Sequence, residues 1–383
     1  MIPVITKLTV YHNEDLVGVL QLNANDNSCV FEYASKWLRT GFSLSPLELP
    51  LQSGLHYADV NKFGGNFAVF EDSMPDGYGL YLIDRMLRRK GTSLSRLTHL
   101  QRLAIVGMSG MGAIKYKPFI DLHETKNSVV ESELDEIQRM VLDILTEKES
   151  GDESLLYYNS ANSGGARPKI AMQDRDGKHW IVKFRHTYDA DSVGREEYLY
   201  MKTAGECGIQ IPNIKLINDK YFAIERFDIE QGKGVHVLTA AALLKSDFRN
   251  QTIDYTNLLA LTGFLTQNPQ EVEEMYRRMV FNVICENRDD HAKNFSFICK
   301  NGIWSLSPAY DITYSPLGTK GEHATSLFYN GNPTKDLMIK AGVQIKIPKE
   351  RCLQIIDEIE ATCRTGRKLL PLQETKGNNK NKP

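Results

Sequence analysis

The stretch from Asn287 to Asp311 reads NRDDHAKNFSFICKNGIWSLSPAYD, and it holds Asp289, Asn294 and, further on, Asp311. Between them FSFICKNGIWSL reads as two β-rich runs around Lys300-Asn301-Gly302. Asn-Gly supplies the positive φ values that a tight hairpin turn needs. A hairpin brings its ends back together, so the three residues can converge on one small volume. Such a set suits phosphoryl transfer. Asp289 would take the proton of an attacking hydroxyl, while Asn294 and Asp311 would hold Mg2+ through hard oxygen ligands. Asp and Asn also cap ordinary turns, so the segments upstream must decide.

Those segments supply further parts of a phosphoryl-transfer site. SANSGGARPKIAM carries Gly164 and Gly165, whose backbone N–H groups can approach phosphate oxygens, with Arg167 and Lys169 adding charge. The Walker A spacing is absent, and a surface turn is the plain alternative. KIAMQDRDGKHWIVKFR then reads as a hairpin turning at Asp176-Gly177, with Lys183 in the middle of its second strand. A helix starting near Ser192 has Val193, Tyr200, Met201 and Ala204 as its apolar stripe, and Glu197 falls on that stripe. A carboxylate facing a core needs a partner, and Lys183 is the natural one. A strand Lys paired to a helix Glu is how kinases hold nucleotide phosphates. NIKLINDKYFAIERFD gives two more strands, ending where Glu225 and Phe227 would form a hinge beside adenine, although Phe227 could equally be core. From about Val237 the chain reads as helical, and EVEEMYRRMVFNVICEN is a helix that delivers the chain to Asp289.

The flanks carry less chemistry. Residues 2–120 mix a small antiparallel sheet with two helices, the second turning in at Pro75-Asp76-Gly77 and ending in Arg88, Arg89 and Lys90 as a solvated helix end. Nothing there reads as catalytic. ESELDEIQRMVLDILTEKE is an amphipathic helix with Ser132 as its N-cap, and IPKERCLQIIDEIEATCRT is a closing helix. The polar tail QETKGNNKNKP is expected to be disordered.

At 383 residues the chain is long enough for two or three domains, and 42% hydrophobic with 25% charged residues is an ordinary globular composition. A net charge of −2 gives no basic footprint for nucleic acid. The six cysteines (Cys29, Cys207, Cys285, Cys299, Cys352 and Cys363) form no CxxC pair and no zinc cluster with histidine. No signal peptide or bilayer-spanning run is evident, so a reduced, cytoplasmic protein without a membrane partner is expected.

The chain resembles the HipA family of serine/threonine kinases, the toxins of bacterial HipBA toxin–antitoxin modules. GGARPK, IVKF, AIERFD, RDDHAKNFSF and SPAYDI carry the resemblance, with FEDSMPDGYG and LAIVGMSGMGAIKY toward the N-terminus. It implies an α/β (α+β), two-lobed, protein-kinase-like fold. The expected divisions are an accessory N-terminal subdomain over 1–120, a small lobe over 121–230, a mostly helical lobe over 231–370 and a disordered tail over 371–383. It further implies that Lys183 binds ATP phosphates, Glu225 and Phe227 frame adenine, Asp289 is the base, and Asn294 and Asp311 hold Mg2+. His291 and Lys293 match the family motif as loop-ordering or phosphate-facing residues. Family members inhibit themselves by phosphorylating a Ser in the Gly-rich loop. The matching position here is Asn162, so Ser163, or else Ser160, is the candidate. The resemblance also implies a helix-turn-helix antitoxin partner, DNA contact only through it, and a protein substrate such as an aminoacyl-tRNA synthetase. The alternatives are a silent corepressor bound to the antitoxin, or a small-molecule or lipid kinase.

Overall fold

A computed structural model describes residues 2–122, 128–148, 152–160, 165–246, 253–318 and 321–367. Ser163, Gly164 and the tail 371–383 lie outside the described residues. Along the first part run β1 (Lys7–His12), β2 (Asp15–Leu22), β3 (Cys29–Tyr33), α1 (Ser35–Thr40), β4 (Leu55–Tyr57), α2 (Ala68–Glu71), α3 (Gly77–Arg89), α4 (His99–Val106) and β5 (Ile114–Lys117). The strands pair antiparallel in the order β4-β3-β2-β1-β5. Period-two alternation buries Leu8, Val10, Leu20 and Phe31, which join one core with Leu82 and Ile83 of α3 and Leu100 and Leu103 of α4. α1 and α2 are short and lack the long periodic stripe that sequence reading depends on, so two helices were expected where the described residues hold four.

α5 (Leu134–Leu145) and α6 (Glu153–Asn159) follow. Ser132 does not cap α5, because it sits inside a 3-10 turn over Glu131–Glu133 that leads into the helix. The Glu133 carboxylate instead accepts from Val130 N–H at 2.9 Å. The basic end of α3 is not purely solvated either. Arg85 and Arg89 both reach the buried Glu153 of α6, at 2.9 and 2.6 Å.

β6 (Lys169–Gln173), β7 (His179–Lys183), α7 (Val193–Glu206), β8 (Ile214–Ile217) and β9 (Tyr221–Glu225) build a second sheet in the order β6-β7-β9-β8, with α7 packed on β8 and β9. Lys183 is the last residue of β7 rather than its middle. The Asn218-Asp219 turn has φ values of 52° and 54°, which Asn and Asp tolerate.

The chain then forms a ribbon of β10 (Ile229–Glu230) and β11 (Lys233–Gly234), followed by β12 (His236–Thr239), α8 (Ala240–Leu243), α9 (Tyr255–Thr266), α10 (Pro269–Cys285), β13 (Ser296–Lys300), β14 (Ile303–Leu306), α11 (Lys335–Gln344) and α12 (Lys349–Arg367). The hairpin β13–β14 turns at Asn301-Gly302, with φ of 52° and 82°. β12 pairs with β13 through all four of its residues, so the helical reading from Val237 is corrected: Val237 and Thr239 are β-branched and suit a strand, and helix begins only at Ala240. Cys285 of α10 and Cys363 of α12 form a disulfide, against the expectation of six reduced thiols. Their separation of 78 residues gives no spacing motif to read. Among the described residues, no helix is long and apolar enough to cross a membrane.

Candidate active site

The site is assembled where β7, α7, the β13–β14 hairpin and the loop before it meet. Lys183 leaves the end of β7 with a side chain only 10% exposed, and its ammonium contacts both Glu197 of α7 and Asp311 beyond β14. Glu197 lies on the buried face of α7, as its place on the apolar stripe requires. Burial alone would pull the Lys183 pKa down, but Asp311 and Glu197 reverse this and hold it above the ordinary lysine value. Asp311 shows the mirror image. Burial would raise its carboxyl, yet Lys183 and Lys169 hold it below the usual carboxylate range. Its backbone is left-handed, with φ of 53°. Removing one member of such a buried set leaves an uncompensated charge, a loss of about 3–5 kcal/mol.

Lys169, at the start of β6, is buried, and desolvation lowers its pKa against the attraction of Asp311, Asp76 and Glu197. Gly165 lies directly over it. A Cβ there would collide with Lys169 Nζ and come within 3.9 Å of Asp311 Oδ2, and a φ of 97° further favours glycine. Arg167 pairs with Asp189 at 3.1 Å and stands 4.0 Å from Glu197. Gly165, Arg167, Lys169 and Lys183 therefore gather on one side of Asp311.

The facing side is the loop before β13. Asp289 is exposed, with 62% of its side chain open to solvent, and its backbone N–H donates to Ser315 Oγ at 3.0 Å. Partial desolvation in the cleft raises its pKa above the ordinary aspartate value, with His291 and Lys183 opposing and Asp311 and Asp290 adding. His291 Nε2 stands 3.8 Å from Asp289 Oδ1. Asn294 donates its amide N–H to the Asp289 carbonyl at 2.7 Å, which turns its Oδ1 toward other partners. Tyr310, half-buried beside Asp311, donates to the Lys293 carbonyl at 2.6 Å and contacts Ser296, tying the loop to the hairpin's far end. Phe227 lies against Tyr310 with ring centroids 5.6 Å apart, while Glu225 points to Lys178 and Asn213.

Two residues here were not singled out from the sequence. Asp290 is fully buried and accepts from Tyr255 OH at 2.5 Å, from Ala324 N–H at 2.8 Å and from Thr325 N–H at 3.3 Å, with His323 Nδ1 at 2.9 Å. Beside an acid assigned a role, it reads as one more solvated charge. Asp76 comes from the N-terminal part, where nothing read as catalytic. It pairs with Lys293 at 2.9 Å and accepts the Gly165 N–H. In the sequence it looks like an ordinary turn residue before α3.

The donor set fits Mg2+ held partly by substrate. One carboxylate at Asp311 and one amide oxygen at Asn294 are hard ligands, and Mg2+ commonly takes only one or two carboxylates and completes its shell with phosphates and water. Among the described residues no group of three or more His, Cys, Asp or Glu is placed to hold a metal ion.

Comparison with known proteins gives concordant results. Residues 161–366 match the HipA-like C-terminal domain and residues 8–117 the HipA N-terminal domain. The chain is 22% identical over 344 residues to the serine/threonine-protein kinase toxin HipA of Shewanella oneidensis, covering 80% of this chain and 74% of that protein. It is 25% identical over 243 residues to the putative kinase Y4dM of Sinorhizobium fredii, covering 56% of this chain and 58% of that one. The solved Shewanella oneidensis complex of HipA, HipB and operator DNA contains a chain that superposes with a TM-score of 0.70 at 17% identity, over 95% of this chain and 91% of that one.

Proposed function

The chain belongs to the HipA family, and from that premise we propose that it is a Mg2+- and ATP-dependent serine/threonine-protein kinase. The observation that carries this reading is Lys183 lodged between Glu197 and Asp311, facing a loop that presents Asp289 and Asn294. Lys183 meets the nucleotide's phosphates, with Arg167 and Lys169 of the Gly-rich segment beside it. Glu197 keeps the Lys183 ammonium charged and aimed. Glu225 and Phe227 frame the adenine, and Phe227 is braced by Tyr310. Asp311 and Asn294 would hold Mg2+, which would supply positive charge to offset the negative charge developing on the phosphates. Asp289 accepts the proton of the incoming Ser or Thr hydroxyl, and its raised pKa and open position suit a base that must meet a second protein. His291 and Lys293 order that loop and face the phosphates.

The same reading extends to regulation and partners. Ser163 is the better candidate for self-phosphorylation in the Gly-rich loop, because Ser160 is buried and donates its hydroxyl to the Tyr157 carbonyl at 2.8 Å. The protein acts in the cytoplasm as the toxin of a toxin–antitoxin pair, restrained by a helix-turn-helix antitoxin that makes the DNA contacts. Its target is a translation component such as an aminoacyl-tRNA synthetase. The test is incubation with Mg-ATP followed by intact-mass and peptide mass spectrometry, beside Asp289→Ala. A phosphate on the Gly-rich loop, or transfer to a protein in a lysate, that is absent with Asp289→Ala supports the reading. Neither event from the wild-type protein would sink it.

A further inference from the structure

The start of α3 touches the Gly-rich loop and the catalytic loop at once. Asp76, 8% exposed, accepts the Gly165 N–H on Oδ1, while Oδ2 pairs with Lys293 at 2.9 Å. Tyr78 N–H donates to the Gly165 carbonyl at 3.3 Å. Gly77 leaves no gap between these contacts: its φ is 43°, and a Cβ there would come within 2.6 Å of Ala166 Cα. Two turns further along, Arg85 and Arg89 bind Glu153 of α6, the helix that enters the Gly-rich loop from the other side. One helix of the N-terminal part thus holds the elements on both sides of that loop.

The charges agree with this placement. Burial would raise the Asp76 carboxyl, but Lys293, the Gly165 N–H and Lys169 hold it below its ordinary value, so it is an anion throughout the working pH range. Asp76 therefore links two segments that must both address the phosphates, Gly165 from above and Lys293 from the loop that carries Asp289 and Asn294. A hydrogen bond to a charged group contributes about 1.5–3 kcal/mol.

We propose that Asp76 is a positioning residue for the phosphate-binding site, holding Gly165 and Lys293 in register without touching the substrate. The N-terminal part is then a working member of the nucleotide site, not an accessory to it. This inference rests on the kinase reading, and the experiment separates the two. Binding of a fluorescent ATP analogue with Mg2+ and phosphoryl transfer are measured for the wild type, Asp76→Ala and Asp76→Asn, with the melting temperature of each. The expected result for Asp76→Ala is a rise in KM for ATP of roughly ten- to hundredfold, with a smaller fall in kcat. Asp76→Asn keeps an acceptor for the Gly165 N–H and loses the charge opposite Lys293. It should recover part of the nucleotide affinity, which a merely structural role would not produce. In Lys293→Met, Asp76→Asn should have almost no further effect, because their link is already broken.

Wild-type KM and kcat in both Asp76 variants would overturn the proposal while leaving the kinase reading intact. Wild-type protein that neither binds nucleotide nor transfers phosphate would overturn both. Should Asp76→Ala fail to fold, Asp76→Asn decides alone, and parity with the wild type then counts against the proposal.

Discussion

The two loops that face each other across Asp311 are held in opposite ways. The loop that carries Asp289 is anchored from beneath by a buried acid. Asp290 receives hydrogen bonds from Tyr255, Ala324 and Thr325, and Asn282 extends the network by donating to Tyr255 OH at 2.9 Å and accepting from Asn287 at 2.9 Å. The Gly-rich side is held at Gly165 by Asp76 and Tyr78, and through Arg167 by Asp189. Buried, mutually satisfied polar groups fix one geometry because each lost bond leaves a costly orphan. A segment held by a few charge contacts can shift while the core stays intact. The Asp289 side thus rests on a connected buried network, and the Gly165 side on a few separate contacts.

Four substitutions or conditions test that contrast. Asp289→Ala should cut phosphoryl transfer by roughly 10²–10⁴-fold and leave nucleotide affinity and melting temperature alone, since its carboxylate supports nothing beneath it. A large fall in melting temperature would show that chemistry and scaffold are not separate here. Asp290→Ala should do the reverse, costing about 3–5 kcal/mol of stability in denaturant unfolding, with lost activity following from a loosened loop. Unchanged unfolding would mean the network is not an anchor.

A pH series separates the same two properties. Asp311 has a lowered pKa in the folded state, so its contribution to stability is present above about pH 4, its unfolded value, and is lost as pH falls through the folded value. Lys183 has a raised one, so its contribution is present below about pH 10 and is lost as pH rises through the folded value. Asp289 has a raised pKa, so its fraction in the proton-accepting form falls at a higher pH than an ordinary aspartate. On acidification transfer should therefore fail before the fold does, and simultaneous loss would contradict the assignment. The smallest effect is expected on the Gly165 side. Arg167→Gln should shift stability by no more than about 1 kcal/mol, since its partly exposed side chain is screened, while phosphate affinity weakens.

What was legible in the sequence follows the kind of signal each residue leaves. Glu197 on the apolar stripe of α7 is anomalous enough to demand a cation, and a strand lysine 14 residues earlier was there to meet it. The Asn301-Gly302 turn forces a hairpin, and the hairpin returns Asp311 to the loop of Asp289 and Asn294. Asp76 and Asp290 leave no such mark, since one resembles any turn aspartate and the other the neighbour of an acid already explained. Their importance comes from contacts 217 and 35 residues away, to Lys293 and Tyr255. β12 was missed for a related reason: four residues carry too little pattern of their own, and its strand form comes from pairing with β13. The Cys285–Cys363 bond likewise depends on α10 and α12 lying side by side.

The strand β12 has one more consequence. Thr239 at its end donates to both carboxylate oxygens of Asp72, His236 at its start lies 2.8 Å from the Leu44 carbonyl, and Gly234 just before it exchanges two hydrogen bonds with Asn13. The first and middle thirds of the polypeptide are therefore sewn together independently of the peptide bonds that join them. Severed between residues 118 and 128, the protein should survive as two fragments that find each other again, so that either could be supplied separately to restore the whole.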